Sequence, residues 1–394
     1  MLTKHSFNEV YLELLCLLNS KGEANVTRKG EEITSLYDQS FRILSELPLT
    51  RSLAACRGYS RTYLLNELNF YLSGSNSLKE AAAISKFWLK CSDDGETINS
   101  NYGKLLFYDR NSKGLTQYEH ALNCLKNNPQ SKKAVMTIYN NENAYISNDN
   151  PCTMFLRARI DVNTNKLHLS AYMRSSDVYY GLPYDVPFFM LVQYFLAKDL
   201  GVEMGHYTHH ASDLHKYSSK YGALEDILLG KTAHTEIPEI EHVFDTLYSR
   251  FKNLSRQMYM EAAWKASYSA QCLKKQVGAC LTKKEGGYEN VIETACGGVM
   301  GNACTTCVRD SQEDHYYGDE CPSVHAEMRC ILAAMRKGHT DFSNMTIYVT
   351  HGPCDACLKL CAAVGITKVF YDKPYKTNYA HWPTIKVMQL SHQW

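Results

Sequence analysis

Charge of one sign is the first thing this sequence lacks. Its 394 residues carry 42 Lys and Arg against 41 Asp and Glu, a net charge of +1. No field is left to hold a long polyanion, which disfavours nucleic acid as a partner, although a local basic cluster can still grip one phosphate. A long apolar run is missing too. The opening MLTKHSFNEVYLELLCLLNS has charges inside its apolar stretch, and nothing elsewhere approaches the roughly 18 uninterrupted apolar residues of a membrane span. Neither a signal peptide nor a membrane partner is expected, and the protein reads as cytoplasmic. Internal repeats and low-complexity segments are absent as well, and the apolar and charged fractions are those of ordinary globular protein. What the chain does have is length enough for two domains and fifteen cysteines. An odd number, scattered through a large chain without an export signal, points to reduced thiols rather than disulfides, some serving as metal ligands or as a nucleophile.

Apolar residues recur at helical spacing around Asn8 to Leu18, Ile33 to Leu47 and Ser60 to Leu72. The runs AVMTIY, TMFLRARI and KLHLSAYM read as strands, and Val186 to Leu200 as a long buried helix. From about Gly222 to Leu254 the chain is charged and less regular, with HTEIPEIEH as a connector before a helix expected from Ser255. Helix Met258 to Cys272, strands VGACL and VIETA, a Cys-rich loop, helix His325 to Arg336, strand MTIYVT, helix Cys354 to Val364 and strand KVFY follow. Such alternation implies a layered α/β domain. The expected division is 1–240, a connector over 241–253, and 254–394.

VHAEMRCILAAM and THGPCDACLKLC contain His325-Ala326-Glu327 and Pro353-Cys354-Asp355-Ala356-Cys357, the H-x-E … P-C-x-x-C signature of zinc deaminases. Three ligands, His325, Cys354 and Cys357, leave a fourth tetrahedral position of Zn²⁺ for a water whose pKa the metal lowers. Glu327 is not a ligand; it is placed to take a proton from that water and deliver it to ring N3 and then to the departing amine. A structural zinc site is the competing reading, but such sites close with four protein ligands. Over about Met258 to Tyr371 the chain resembles deoxycytidylate deaminases, which implies a free nucleotide as substrate. It departs from them at ACGGVMGNACTTC, where an asparagine in a GYNG-like turn is usual. Some phage members of that family hold a second, structural zinc in this loop, and Cys296, Cys304, Cys307, His315 and Cys321 are the residues that could bind one; reduced thiols in a loop are the alternative.

In the first half, PLTRSLAACRGYSRTYLLNELNFYLSG, FW followed by NYGK, NPQSKKAVMTIYN, NPC, R-S-x-D-V-x-x-G-L-P and D-x-H-x-Y occur in order. This set resembles the thymidylate synthase family, which includes deoxycytidylate hydroxymethylases, over about Val26 to Tyr221. The resemblance implies an α+β thymidylate synthase-like domain followed by an α/β three-layer cytidine deaminase-like domain. The chemistry is legible in the residues themselves. Pyrimidine C5 is a poor nucleophile until a thiolate adds to C6 and turns the ring into an enamine, and Cys152 is the candidate thiol. A thiolate needs a positive neighbour, and Arg174 can supply it while touching the substrate phosphate. The resemblance further assigns Arg28 and Arg174 to phosphate, His215 and Tyr217 to the sugar hydroxyl, and Glu67, Trp88, Tyr102 and Asp177 to folate positioning and proton transfer. Lys132 and Lys133 stand where the family has two arginines that reach the phosphate of the neighbouring subunit, which implies a homodimer through the N-terminal domain, with a higher oligomer left open. Met173 replaces a glutamine and Ser212 a glycine of the family pattern.

Asp185 has two readings. As the residue before Val-Pro-Phe-Phe it is a plausible helix N-cap. Aligned with the family, it stands where enzymes acting on deoxyuridylate carry an asparagine. A carboxyl group accepts from the 4-amino group of cytosine and, when protonated, donates to N3; a carboxylate facing O4 of uracil meets a lone pair instead and leaves polar atoms unsatisfied at about 1–3 kcal/mol. The expectation is a two-activity enzyme: a C5-hydroxymethyltransferase acting on dCMP with 5,10-methylene-tetrahydrofolate, fused to a Zn²⁺-dependent deaminase of dCMP or its 5-hydroxymethyl product. Trp88 resembles the tryptophan that shields the intermediate in thymidylate synthases, while a synthase-type C-terminal lid is not recognisable, which favours water over hydride as the quencher. The alternatives are a deaminase fused to a thymidylate synthase or dCMP methyltransferase, and a nucleic-acid editing deaminase with a non-catalytic N-terminal module.

Overall fold

The computed structural model describes all residues except 28–29, 47, 50–59, 146, 233–238, 273–274, 286–287, 300–320 and 391–394. Arg28, Cys304, Cys307 and His315 lie outside the described residues. The chain divides into two compact units, Met1–Arg250 and Phe251–Trp394.

The first unit is built on an eight-stranded mixed sheet with the order β1-β3-β8-β6-β5-β4, where β2 pairs with β3 and β7 with β8. These strands are β1 (Leu2–Lys4), β2 (Glu23–Val26), β3 (Glu32–Ile43), β4 (Val135–Thr137), β5 (Thr153–Asp161), β6 (Lys166–Met173), β7 (Ser176–Asp177) and β8 (Glu203–Tyr217). Helices α1 (Phe7–Lys21), α2 (Arg61–Ser73), α3 (Leu78–Ile84), α4 (Tyr102–Phe107), α5 (Gln117–Asn127), α6 (Leu182–Leu200) and α7 (Tyr221–Leu228) complete it. The α1 helix begins at a capping box in which Ser6 and Glu9 satisfy each other's backbone N–H. It buries Phe7, Val10, Tyr11, Leu14, Leu15 and Leu18, a stripe at helical spacing. The α6 helix is apolar on nearly every side and is buried from Val186 through Leu191.

Ile33 to Leu47 does not form the expected helix; residues 32–43 are β3, paired with β8 from Ile33↔Tyr217 to Ile43↔Tyr207. Buried positions alternate at both ends, but Leu36 is buried and Tyr37 exposed beside Asp38, whose φ is +53°. That left-handed residue breaks the period of two and leaves an apolar spacing that imitates a helix.

Helix α8 (Ile240–Ser267) also differs from expectation: the residues read as a connector, 241–253, are helical, and the helix stops short of Cys272. In the second unit β9 (Gly278–Glu285), β10 (Tyr288–Cys296), β13 (Met345–His351), β14 (Lys368–Lys373) and β15 (Lys386–Gln389) form a sheet in the order β10-β9-β13-β14-β15. A small second sheet pairs β11 (Gly298–Val299) with β12 (Ser323–Val324). One face of the larger sheet, through Leu281, Ile347, Val349 and Val369, packs on α9 (Ala326–Arg336) and α10 (Asp355–Val364). The other, through Cys280, Tyr348 and Phe370, packs on Tyr259, Met260 and Ala263 of α8. The unit therefore has three layers, with period-two alternation on the strands deciding which side chain faces which helix.

Candidate active sites

In the first unit, Cys152 lies just before β5 and Arg174 just after β6, the strand antiparallel to it, and the backbone N–H of Arg174 donates to the carbonyl of Cys152. The guanidinium is held by the carbonyls of Pro151 and Asn150, at 3.1 and 3.0 Å, and its Nη2 is 3.8 Å from the Cys152 sulfur. Tyr102, at the start of α4, accepts from the Cys152 backbone N–H at 3.3 Å. Burial nevertheless pushes the thiol up to about 11; Arg174 pulls it down, while Asp185, Asp149 and Asp177 push it further up. The positive neighbour expected from the sequence is present, and desolvation outweighs it.

The N-cap reading of Asp185 is overturned. The α6 helix starts at Leu182 with Gly181 as its cap and a proline in the first turn, and the Asp185 N–H already donates to the Gly181 carbonyl. Proline fits the first helical turn, where its missing N–H costs nothing, so the helix begins four residues earlier than a cap at Asp185 would allow. The carboxyl is consequently released from capping. Among the described residues nothing hydrogen-bonds to it, and burial, reinforced by Asp177, raises it to about 7.

Glu67 is buried on α2, accepts from the Tyr63 hydroxyl at 2.8 Å, and is raised to about 8 by burial, against the Tyr63 hydrogen bond and with a further push from Asp185. Asp177 pairs with His215 across β7 and β8, and its two carboxylate oxygens accept from the backbone N–H groups of Tyr179 and Tyr180. Burial lowers the His215 imidazole, but Asp213, 3.6 Å away, and Asp177 outweigh it and raise it overall. Burial lifts Tyr217 to about 12, with Asp177 and Cys152 adding to the shift. Cys152, Glu67, Tyr102, Arg174, Asp177, Asp185, His215 and Tyr217 thus form one connected group. Among the described residues, no hydrogen bond or charge interaction joins Trp88, Lys132 or Lys133 to it. Trp88 is buried in the short helical turn Lys86–Lys90, and the two lysines are exposed ahead of β4. The sequence reading missed Tyr63 and Tyr71, although Tyr63, Glu67 and Tyr71 recur at the four-residue spacing that puts them on one helix face.

In the second unit His325 caps α9 and Cys354 caps α10, so the N-termini of two helices meet at the site. His325 Nδ1 lies 3.3 Å from Cys357 Sγ and 3.4 Å from Cys354 Sγ, and the three ligand atoms all lie within 4.8 Å of one another. Those separations, and two sulfurs with one nitrogen, fit a tetrahedral ion with bonds of about 2.0–2.3 Å. Hydrogen bonding by Cys357 and His325 holds the Cys354 thiol down at about 4, while the same bond to Cys354, with burial, pushes the Cys357 thiol up. Glu327, buried in the first turn of α9, is raised to about 6 by burial. His325, Glu327 and Cys354 open on a cavity of about 240 Å³, lined also by His351, Lys275 and Tyr375. A larger polar groove of about 920 Å³ in the first unit is lined by Asn76, Asn99, Lys104, Arg110 and Tyr139 and contains none of the groups around Cys152. Of the residues considered for a second zinc, only Cys296 and Cys321 are described; Cys296 donates to the Ser269 carbonyl at 3.3 Å.

A fold in which a thiol, an arginine and buried carboxyls converge at the ends of two interior strands of one sheet, with a separate His-Cys-Cys triad at two helix N-termini, fits a two-part enzyme of pyrimidine nucleotide chemistry. The chain belongs to the thymidylate synthase family, which it matches over residues 9–260, and residues 254–373 match the cytidine and deoxycytidylate deaminase zinc-binding region. It is similar to the thymidylate synthase of Vesicomyosocius okutanii subsp. Calyptogena okutanii (strain HA), 24% identical over 253 residues, 61% of this chain and 93% of that protein. It is also similar to the deoxyuridylate hydroxymethyltransferase of Bacillus phage SP01, 26% identical over 265 residues, 64% of this chain and 68% of that protein. Among the described residues no helix is long and apolar enough to cross a membrane.

Proposed function

We propose that the first unit transfers a hydroxymethyl group to C5 of dCMP and that the second deaminates dCMP or its 5-hydroxymethyl derivative. The observation that carries this reading is Asp185: a carboxyl free of backbone duty, raised to about 7, in the electrostatic field of Cys152 and Glu67. As its acid such a group can pair with either base, but as its anion it only accepts, which suits the 4-amino group of cytosine and sets lone pairs against O4 of uracil, so only cytosine is served by both states.

Cys152 is the nucleophile for C6, Arg174 holds the substrate phosphate and favours the sulfur anion, and Glu67 moves the proton at the ring. Methylene-tetrahydrofolate supplies the one-carbon electrophile when bound. The Asp177 carboxylate offers acceptors suited to the N–H groups of a pterin, and Trp88 is assigned to shielding. Water rather than hydride completes the product.

Zinc, when bound by His325, Cys354 and Cys357, supplies activation of the hydrolytic water. Glu327, held above the usual carboxylate range, accepts a proton and passes it to ring N3 and the leaving amine. In this reading Lys132 and Lys133, both exposed, bind the phosphate of a second subunit in a homodimer.

Mass spectrometry of products from dCMP, dUMP and CMP, with and without methylene-tetrahydrofolate, tests the assignment. Hydroxymethyl-dCMP, or hydroxymethyl-dUMP formed through it, is expected; a C5 product from dUMP made far faster than any from dCMP overturns it. That second outcome is the competing reading, favoured by the similarity to the phage deoxyuridylate hydroxymethyltransferase. A C5 methyl product would place hydride transfer in the first unit instead.

A further inference from the structure

The helix face carrying Glu67 presents Tyr63 one turn before it and Tyr71 one turn after. The Tyr63 hydroxyl donates to Glu67 Oε1 at 2.8 Å. Its ring meets that of Tyr184 edge-on, with centroids 4.6 Å apart and planes at 63°. Tyr184 immediately precedes Asp185, and its own hydroxyl accepts from the backbone N–H of Ser60, the residue that caps α2. Tyr63 therefore stands where the first turn of α2 meets the first turn of α6, touching one site carboxyl directly and packed against the neighbour of the other.

We propose that Tyr63 is a positioning residue for the C5 reaction: its phenol fixes the rotation of the Glu67 carboxyl and stabilises its anion, so that Glu67 can accept a proton beside the pyrimidine. The inference rests on the C5-hydroxymethylation reading given above. A buried carboxyl without a donor holds its proton tightly, because desolvation and a neighbouring carboxyl both disfavour the charge. The groups that face Glu67 are Tyr63 and Tyr71 from its own helix and Asp185 from α6, with Tyr184 behind Tyr63 and Tyr102 behind Tyr71. Among the described residues no cation acts on it, which leaves hydroxyl donors as what draws Glu67 toward ionisation. Of these, Tyr63 makes the short, direct bond.

Tyr63→Phe keeps the ring and its contact with Tyr184 while removing the donor. The expected result is a kcat for C5 product lower by about ten- to a hundredfold, the worth of a hydrogen bond to a charged group. KM for dCMP should stay within about twofold, and the acidic limb of the kcat profile should move up by about one pH unit. In a Glu67→Gln background the same substitution should shift nothing. Deamination by the same polypeptide should be unchanged. Superimposable pH profiles of wild type and Tyr63→Phe, with both active, overturn the inference. If the wild type forms no C5 product from any pyrimidine nucleotide, the proposed function fails instead. Titration of the ¹³C-labelled Glu67 carboxyl then decides alone: an upward shift in Tyr63→Phe retains the coupling, and coincident curves remove it.

Discussion

Arg174 Nη2 stands 3.8 Å from the sulfur of Cys152, yet that thiol is held up at about 11 because burial and three carboxyl groups outweigh one guanidinium. The free protein therefore keeps the sulfur protonated near neutrality, and loss of Arg174 should make it less reactive still. In Arg174→Met, alkylation of Cys152 by iodoacetamide should slow by about tenfold, with its pH midpoint moved upward, as expected for loss of a charge worth about one pKa unit. Peptide mapping, with Cys152→Ala as the blank, measures it. An unchanged midpoint would show that the guanidinium serves the phosphate alone.

Asp185 pushes the same thiol in the other direction, so Asp185→Asn should lower the alkylation midpoint of Cys152. The substitution also replaces an acid-or-anion pair of states with a fixed amide that accepts from N3–H and donates to O4. The ratio of kcat/KM for dUMP to that for dCMP should rise by about ten- to a hundredfold, the cost of mispaired buried polar atoms. Steady-state kinetics on both nucleotides settles it. A ratio that does not move would mean that C4 is read elsewhere.

How far the sequence led differs between the two sites for a physical reason. The triad of His325, Cys354 and Cys357 is local: two helix N-termini present a histidine at one and a cysteine pair at the other, and the spacing alone carries the geometry. The thiol site is not local. Cys152 and Arg174 share adjacent strands, while Glu67 comes from α2 and Asp185 from α6, and only an ordered set of motifs could join them. Asp185 looked like a cap because aspartate before an apolar run usually is one; the proline two residues before it moved the helix start. The strand over 32–43 was hidden by the positive φ at Asp38, which a period-two reading does not anticipate. Tyr63 was visible as a spacing but had no chemistry until its distance to Glu67 was known.

Removing His325 or Cys354 should separate the activities. His325→Ala should lose about one equivalent of bound zinc per chain and the deaminase activity, because two remaining ligands do not hold the ion. Glu327→Gln should instead keep its zinc and lose about 10²- to 10⁴-fold in deamination, the usual share of a positioned acid–base group. Elemental analysis beside ammonia release distinguishes them, and C5 transfer should continue in both. Zinc lost from Glu327→Gln would make Glu327 a structural support of the triad.

The buried pair Glu67 and Asp185 should leave a mark on stability as well as on catalysis. Their pKa values in the folded chain are raised to about 8 and about 7, whereas an unfolded carboxyl titrates near 4. Between those limits the folded chain binds protons that the unfolded chain has released, so stability is full below about pH 4, falls as pH climbs through the folded values, and levels off above about 8. Glu67→Gln removes one of the two titrations. Relative to wild type it should gain stability at about pH 9 compared with about pH 4, by roughly a few kcal/mol. Urea denaturation followed at the two pH values tests the sign. If the difference between variant and wild type is the same at both, Glu67 titrates alike in the folded and unfolded chains, and the desolvation that sets the chemistry of this site is not acting on it.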